Sequence, residues 1–358
     1  MSEYSRKLEI IRTWMSDRNV GSLYLQTAGS FAWATCGASS YINTASTNGL
    51  ASLIITQDRQ YLITTNIEAP RLELEQGLAA RGWESVLSPW HESHDAVAVL
   101  SRGLKLASDG YYLGASDLSA ELARLRAKLT PEEGSRFRDL GKVCARAMQY
   151  ACESVKPGQT EYEIASRLAF EVEKQGVQAI VNLIATDERI YSYRHPLPTA
   201  KKLDRYAMLI LCGRKNGLIC SLTRLVHFGP LPDELKRKVA ACAKVDAAFI
   251  QATRPGRTLG DIFDKAVSVY ATEGFTDEWK KHHQGGTSGY EPREYLAVPS
   301  SQDRVYVGQA YAWNPSITGY KSEDTILVGE AQNEVLTEMP NWPATVIDGI
   351  TRPSILVV

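Results

Sequence analysis

Two side chains in the C-terminal half of the sequence, His195 and Glu323, suit acid–base chemistry. A histidine titrates near neutral pH, so His195 can take a proton from water and return it to a leaving nitrogen. The proline that follows it favours an extended backbone. A buried carboxylate needs a cation or a proton, so Glu323 is expected to bind a cationic substrate group or to orient water. The alternatives are a histidine that caps a loop and a solvated acid at a strand end.

A second feature is the segment His282-His283-Gln284-Gly285-Gly286, in which two histidines precede two glycines. Glycine lets the backbone approach a ligand closely. Adjacent side chains of an extended strand point to opposite sides, so only one of the two histidines is expected to face a site, and His283 is the candidate. The segment lacks the following lysine and hydroxyl residue of a phosphate-binding loop, which argues against that role.

A third group of candidate residues lies after the two histidines. The planar fork of donors on Arg293 suits a bidentate contact with a substrate carboxylate. Its neighbour Glu294, together with Tyr290 and Asn314, is expected to line the same pocket. Trp313 is a further pocket candidate, and it is equally compatible with a place in the core.

The composition narrows the classes of partner. The 358 residues include 40 basic and 41 acidic side chains, for a formal net charge of -1. With no basic stripe or acidic tail, nucleic acid and anionic membranes are poor candidates for partners. The six cysteines form no CxxC pair and no zinc-like spacing. Reduced thiols in a cytoplasmic protein are therefore expected, and no apolar stretch is long enough for a membrane span.

Length and patterning predict two domains, residues 1–128 and 129–358. The first is expected to be a small α/β domain, because strand-like runs alternate with helical stretches after an amphipathic helix at residues 3–18. Its strands are predicted at 22–25, 50–56 and 60–64, and its other helices at 69–81, 94–104 and 116–127, the last capped by Ser116.

The second domain begins at Thr130-Pro131-Glu132-Glu133, which combines a capping threonine, a proline at the first helical position and acids in the first turn. Helical patterning continues to about residue 174, with a break at Lys156-Pro157-Gly158-Gln159-Thr160. A similar turn recurs at Arg254-Pro255-Gly256-Arg257-Thr258, also before a helix, which is a sign of internal duplication. Strands predicted at 179–185, 206–212, 218–226, 310–315 and 324–328 make this part an α+β layer.

Between the two Pro-Gly turns lies the segment HPLPTAKKL, which starts at His195, and then a strand and the run Leu222-Thr223-Arg224. In order and spacing these segments resemble the pita-bread family, which includes methionine aminopeptidase, aminopeptidase P, prolidase and creatinase. The resemblance covers essentially the whole chain, with a creatinase-type N-terminal domain up to about residue 127. It implies a pita-bread fold, a catalytic or proton-shuttling role for His195, and a homodimer in which Trp33 reaches the partner's site.

Metallopeptidases of this family hold two metal ions with two Asp, one His and two Glu. The corresponding positions here are Ile210, Ser221, Gly286, Asn314 and Glu323. One carboxylate, an amide and a hydroxyl cannot hold two divalent ions, since hard cations need several anionic oxygens and zinc normally takes three or four N, S or charged O ligands. The sequence therefore predicts no metal and no other cofactor.

Creatinase is a metal-free member of the same family that hydrolyses a small guanidino compound. The resemblance thus implies a metal-independent hydrolase that acts on a C–N bond of a small amino-acid-like or guanidino substrate, with His195, Glu323 and His283 as catalytic residues. Thr223 stands where creatinase has a glutamate that grips the guanidinium, which argues against creatine itself. Two alternatives stay open: an inactive domain that binds a peptide or protein, and a metal-dependent Xaa-Pro aminopeptidase or dipeptidase if the ligand positions are misaligned.

Overall fold

The computed structural model describes residues 2–92 and 94–358 and divides into two compact units. Unit 1 extends to Arg126 and includes residues 216–218, and unit 2 comprises Ala127–Lys215 and Ile219–Val358. Both units combine helices and strands, which confirms the α+β fold class. Among the described residues, none of the helices has both the length and the apolar character that crossing a membrane requires.

Unit 1 is built on a six-stranded sheet. Its strands are β1 (Ser22–Thr27), β2 (Asn48–Thr56), β3 (Gln60–Thr65), β4 (Glu84–Ser88), β5 (Leu106–Ser108) and β6 (Ser116–Asp117), in the order β4-β3-β2-β1-β5-β6. Its helices are α1 (Glu3–Asp17), α2 (Ala28–Ala34), α3 (Ala96–Leu100) and α4 (Ser119–Arg126), with a π-helical turn at Arg71–Glu75 and a 3-10 turn at Ala79–Arg81.

The helical predictions for unit 1 are correct at its start and too long later. The first helix ends within one residue of its prediction. The stretch predicted as one helix over 69–81 is two short turns, because Gly77, with a φ angle of 68°, interrupts a right-handed helix, and Gly82, with a φ angle of 78°, ends the second turn. Ser116 does not cap a helix. It pairs with Ala107 in a parallel ladder, so α4 begins only at Ser119.

Unit 2 contains two larger sheets and two hairpins. Its helices are α5 (Pro131–Ser154), α6 (Glu161–Glu173), α7 (Glu188–Ser192), α8 (Asp233–Ala252) and α9 (Leu259–Thr272), with a 3-10 turn at Glu278–Lys281. Its strands are β7 (Gln178–Thr186), β8 (Tyr206–Lys215), β9 (Leu218–His227), β10 (Gly285–Ser288), β11 (Tyr295–Leu296), β12 (Ala310–Trp313), β13 (Ser316–Ile317), β14 (Tyr320–Lys321), β15 (Asp324–Val328), β16 (Asn333–Val335), β17 (Ala344–Ile347), β18 (Ile350–Pro353) and β19 (Leu356–Val357). The sheets have the orders β19-β9-β8-β7 and β11-β10-β12-β15-β16, and the hairpins are β13-β14 and β17-β18.

Strands β8 and β9 form the centre of unit 2. Asn216 and Gly217 connect them with φ angles of 50° and 78°, as a two-residue hairpin turn of the I′ type requires. All ten residues of β9 are buried. The hydrophobic core packs β8, α8, α9 and β12 together through residues such as Ile210, Phe249 and Trp313. This rigid core supports the loops that carry the polar candidates.

The two Pro-Gly turns fold in the same way. Gly158 and Gly256 adopt φ angles of 88° and 87°, and the threonine two residues after each one caps the next helix, α6 or α9. The N–H of Gly158 donates to the carbonyl of Leu203 at 2.8 Å, and that of Gly256 donates to the carbonyl of Val305 at 2.8 Å. The equivalent contacts support the internal duplication that the near-repeat indicates.

Candidate active site

Three histidines of unit 2 meet at one place. His195 follows α7, and His282 and His283 lie between the 3-10 turn and β10. The Nε2 atoms of His195 and His282 are 3.1 Å apart, so one ring donates a hydrogen bond to the other. The centroid of the His195 ring lies 4.9 Å from that of His282 and 5.7 Å from that of His283. The expectation that only one adjacent histidine faces the site is wrong, because the regular strand begins only at Gly285.

Burial and nearby cations keep these rings neutral. Burial, then Lys321, lowers the pKa of His282 to about 2. Burial, then Arg293, lowers the pKa of His283 to about 4. The pKa of the more exposed His195 is also lowered, by partial burial and by Lys321. The carboxylate of Glu323 opposes these pKa shifts at all three rings, so its charge lies near enough to act on each of them. Neutral imidazoles can accept a proton or bind a metal.

The carboxylate of Glu323 is held by three side chains. Its Oε1 accepts a hydrogen bond from Arg293 Nη2 at 3.0 Å, and its Oε2 accepts one from Thr223 Oγ1 at 2.6 Å. The same Oε2 pairs with Lys321 Nζ at 3.0 Å. Burial by itself raises the pKa of Glu323, but Lys321 and Arg293 outweigh this effect and lower it to about 2. The carboxylate is therefore ionised at neutral pH, and both of its oxygens are engaged.

The backbone beside Glu323 fixes this geometry. The N–H of Thr223 on β9 donates to the carbonyl of Glu323 at 3.2 Å, which links the two sheets by an isolated bridge. The next residues along each chain segment form a buried ion pair, with Arg224 Nη2 2.7 Å from Asp324 Oδ1. Arg224 is therefore a structural ion-pair residue.

The five positions at which family metallopeptidases hold metal do not form a two-metal site here. Ile210 and Gly286 have no side-chain atom that can bind a metal. A larger side chain at Gly286 would clash, because its Cβ would lie 2.3 Å from a backbone oxygen of β11. Ser221 and Asn314 offer only neutral oxygens. Glu323 is the single carboxylate of the five, and side-chain cations already occupy both of its oxygens. These residues do not fit a pair of divalent ions held by carboxylates.

Arg293 and Asn314 each keep a polar atom free at this site. Arg293 Nη1 donates to the carbonyl of Pro292 at 2.6 Å and Nη2 binds Glu323, whereas its buried Nε has no partner among the residues described. The N–H of Asn314 donates to the carbonyl of Gln284 at 3.1 Å, while its buried Oδ1 also has no partner within that part of the chain. Buried polar atoms without partners are rare and call for a ligand or water.

Four residues predicted to bind substrate are engaged elsewhere. Trp313 is fully buried in the hydrophobic core, and its indole stacks on an aromatic ring of α8 with centroids 4.5 Å apart. The hydroxyl of Tyr290 donates to Glu133 at 2.6 Å, and Glu294 accepts from the N–H of Tyr290 at 2.8 Å. Trp33 is buried within unit 1. The structure thus assigns these four side chains to packing and internal hydrogen bonds.

Two residues of the site were not among the sequence candidates. His282 stands next to a candidate, and its ring centroid lies 4.3 Å from that of His283. Lys321 lies two residues before Glu323, and side chains two apart share one face of an extended segment. A lysine two residues before an acidic residue in an extended segment is therefore the sequence pattern that indicates Lys321 as a residue of the site.

The comparisons by sequence all point to the same family of proteins. The sequence profile of metallopeptidase family M24 matches residues 135–330. An uncharacterized peptidase of Staphylococcus haemolyticus is 26% identical over 231 residues, which cover 62% of this chain and 65% of that protein. One from Staphylococcus saprophyticus is 23% identical over 230 residues, with the same coverage. The chain therefore spans about 65% of the length of the curated relatives it matches.

Solved structures show the same fold over nearly the full chain. An Xaa-Pro dipeptidase from Bacillus anthracis has a TM-score of 0.80 at 19% identity, covering 99% of this chain and 100% of that one. The prolidase from Pyrococcus horikoshii has a TM-score of 0.79 at 18% identity, with coverages of 94% and 99%. The N-terminal domain of the FACT complex subunit SPT16 from Cicer arietinum has a TM-score of 0.72 at 12% identity, with coverages of 94% and 96%. Identities this low establish the fold alone.

Proposed function

The chain belongs to metallopeptidase family M24, and from this premise we propose that it is a hydrolase that cleaves the C–N bond of short peptides. The resemblance to the pita-bread family is confirmed. The names of the similar proteins, peptidase, dipeptidase and prolidase, support a peptide over a guanidino compound as substrate. Among the hypotheses from the sequence, the peptidase alternative is therefore better supported than the creatinase-like one.

The contact between exposed His195 and buried His282 is the observation that carries this proposal. A neutral His195 accepts a proton from the attacking water and returns it to the leaving nitrogen of the substrate. The hydrogen bond at 3.1 Å between the two Nε2 atoms orients the His195 ring and leaves its Nδ1 available to water. Since the pKa of His195 is lowered, the ring stays in the form that accepts a proton at neutral pH.

Arg293 is the proposed contact for the substrate carboxylate. Its buried Nε has no partner in the described part of the chain, so an incoming anion satisfies an otherwise costly donor. Glu323 holds this guanidinium in place and balances Lys321. With both of its oxygens engaged, Glu323 positions the cations and does not bind a substrate ammonium group.

The proposal is tested by measuring the turnover of a panel of candidate substrates. The purified full chain is incubated with dipeptides, Xaa-Pro peptides among them, and with creatine, once with a chelator and once with added zinc or manganese. Release of amino acids is measured by mass spectrometry. We expect release from at least one class of peptide and none of the hydrolysis products of creatine. His195→Ala should lower kcat/KM by roughly 100-fold or more, as expected for a lost acid–base group.

The matched control is His94→Ala, which removes an exposed histidine of unit 1 and should leave turnover unchanged. Absence of release from every peptide, with and without metal, would overturn the proposal.

A peptide-binding domain without catalysis is the second candidate. The likeness to a domain of the FACT complex subunit favours it, because that fold occurs there in a protein described as part of a complex. The engagement of Glu323 by internal cations also fits a site that has lost chemistry. A peptide that binds in calorimetry and is recovered uncut after prolonged incubation would select this candidate.

A further inference from the structure

The histidine cluster has the composition of a metal site. Among residues 2–92 and 94–358, His195, His282 and His283 form the one group of three or more His, Cys, Asp or Glu residues whose ligand atoms lie close together, all within 4.8 Å of one another. We propose that these three histidines bind a single zinc-like divalent ion. The site shares no residue with the five positions that hold metal in the family's metallopeptidases.

The distances fit one ion after small side-chain rotations. Zinc binds imidazole nitrogen at about 2.0–2.1 Å, so two ligands of a tetrahedral ion lie roughly 3.4 Å apart. The Nε2 atoms of His195 and His282 are already 3.1 Å apart. The third nitrogen must move inward by no more than the difference between 4.8 Å and that spacing. Rotation of the imidazole about its last side-chain bond covers such a shift, since that torsion is broad.

Two ring nitrogens of the cluster are without partners. The Nδ1 atoms of His282 and His283 are buried and have no hydrogen-bond partner among the described residues. His282 as a whole is only 9% exposed. A neutral imidazole has one donor and one acceptor nitrogen, and leaving either unmet in a buried place is costly. An ion held through Nδ1 of His283 accounts for the unmet nitrogen of that ring, whereas His282, as a ligand through Nε2, keeps its proton on Nδ1.

The type of ligand atom selects the kind of ion. Lys321 and Arg293 act electrostatically on His282 and His283, and Glu323 pairs with both cations and offsets one of the two charges. A hard ion such as magnesium needs several anionic oxygens, which the histidines do not supply. Imidazole suits zinc, copper, nickel and iron. We therefore expect zinc and cobalt to bind and magnesium to be rejected.

A metal at this place has a consequence for the proposed function. A zinc ion held by these residues would supply a Lewis acid for a carbonyl or for water, and His195 as its ligand would not be the proton shuttle of the proposed function. This role rests on the proposed function, whereas metal binding does not. Binding without turnover would leave the metal site standing and count against the peptidase, so the two failures are distinguishable.

The experiment measures metal binding directly. The full chain is treated with a chelator and titrated with Zn²⁺ by calorimetry, and with Co²⁺ while its visible absorbance is recorded. We expect one ion per chain and a cobalt spectrum of nitrogen ligands. His195→Ala and His283→Ala should each weaken binding by roughly 100-fold, at least as much as loss of an outer-shell partner does. His94→Ala is the matched control and should bind as the parent does.

The midpoint of thermal unfolding, measured without metal, identifies any variant that fails to fold. If His195→Ala is such a variant, His195→Asn replaces it. No binding of zinc at concentrations that saturate ordinary histidine sites would overturn the proposal. So would binding that both histidine substitutions leave unchanged, because the ion would then lie elsewhere.

Discussion

At the residue scale, the carboxylate of Glu323 determines the electrostatics of the site. Two side-chain cations, Lys321 and Arg293, are drawn toward it in a region where all three groups are largely buried. Removing one member of a buried ion pair leaves a charge without compensation, which costs far more than the net contribution of the pair. The stability of this corner of unit 2 therefore depends on a single negative charge.

Glu323→Gln should lower the free energy of unfolding by about 3–5 kcal/mol, because the substitution keeps the shape and removes the charge that faces two buried cations. Urea denaturation measures this change. The control is Glu188→Gln, since Glu188 pairs with Lys201 at 3.0 Å at an exposed place. That control should leave the stability nearly unchanged. A loss below about 1 kcal/mol for Glu323→Gln would contradict the burial of this ion pair.

The same residue predicts a pH dependence. In the folded protein the pKa of Glu323 is about 2, below its ordinary value of 4.5. The unfolded chain thus binds the proton first, and the stabilisation by Glu323 is complete above pH 4.5 and lost as the pH falls toward 2. The difference in unfolding free energy between the parent and Glu323→Gln should shrink over this interval. A difference that stays constant down to pH 2 would rule out the lowered pKa.

At the element scale, the two Pro-Gly turns end in threonines that start helices. Thr160 Oγ1 accepts from the N–H of Glu163 at 3.2 Å, and Thr258 Oγ1 accepts from the N–H of Asp261 at 3.1 Å. Each hydroxyl satisfies an N–H that the first helical turn leaves without a partner. The two halves of unit 2 thus use the same device to begin α6 and α9.

Thr160→Ala and Thr258→Ala should each lower the free energy of unfolding by about 1 kcal/mol, since alanine cannot accept the hydrogen bond. Thermal or urea denaturation measures the loss. Serine keeps the hydroxyl, so the two Thr→Ser variants serve as controls and should be close to neutral. The losses should add in the double variant, because the two caps share no partner. A serine variant as unstable as its alanine counterpart would show that packing of the methyl group matters instead.

At the scale of the whole unit, a buried ionic network joins distant parts of the chain. Arg352 on β18 is fully buried and pairs with Asp246 of α8 and Asp324 of β15. Asp324 also pairs with Arg224 of β9. Four elements from across unit 2 therefore share one network, and Arg352 is one of the side chains that attach the β17-β18 hairpin to the core.

Arg352→Met should lower the free energy of unfolding by about 3–5 kcal/mol, because it leaves Asp246 without its cation in a buried place. Urea denaturation followed by intrinsic tryptophan fluorescence measures the loss. Arg205→Met is the control: Arg205 is 74% exposed, and its loss should cost about 0.5 kcal/mol or less. Equal effects of the two substitutions would contradict the role of the network.

The sequence by itself determined the fold class and the family. Helix starts such as Thr130-Pro131 and apolar runs such as the strand predicted at 206–212 depend on neighbours in sequence, and the structure confirms them. Ser116 was misjudged because its partner in the sheet, Ala107, is chosen by tertiary pairing. That the family's metal ligands are missing was also inferred from residue types at matched positions, and it stays a prediction.

Only the tertiary structure decided what the site contains. His195 and His282 are 87 residues apart, and no local pattern reports that their rings share a hydrogen bond. The same holds for Arg293 and Lys321, which close on Glu323 because strands from two sheets converge there. Residue types follow from the sequence, but the charge and the donors that a cavity offers depend on which distant side chains the packed core brings within hydrogen-bond distance.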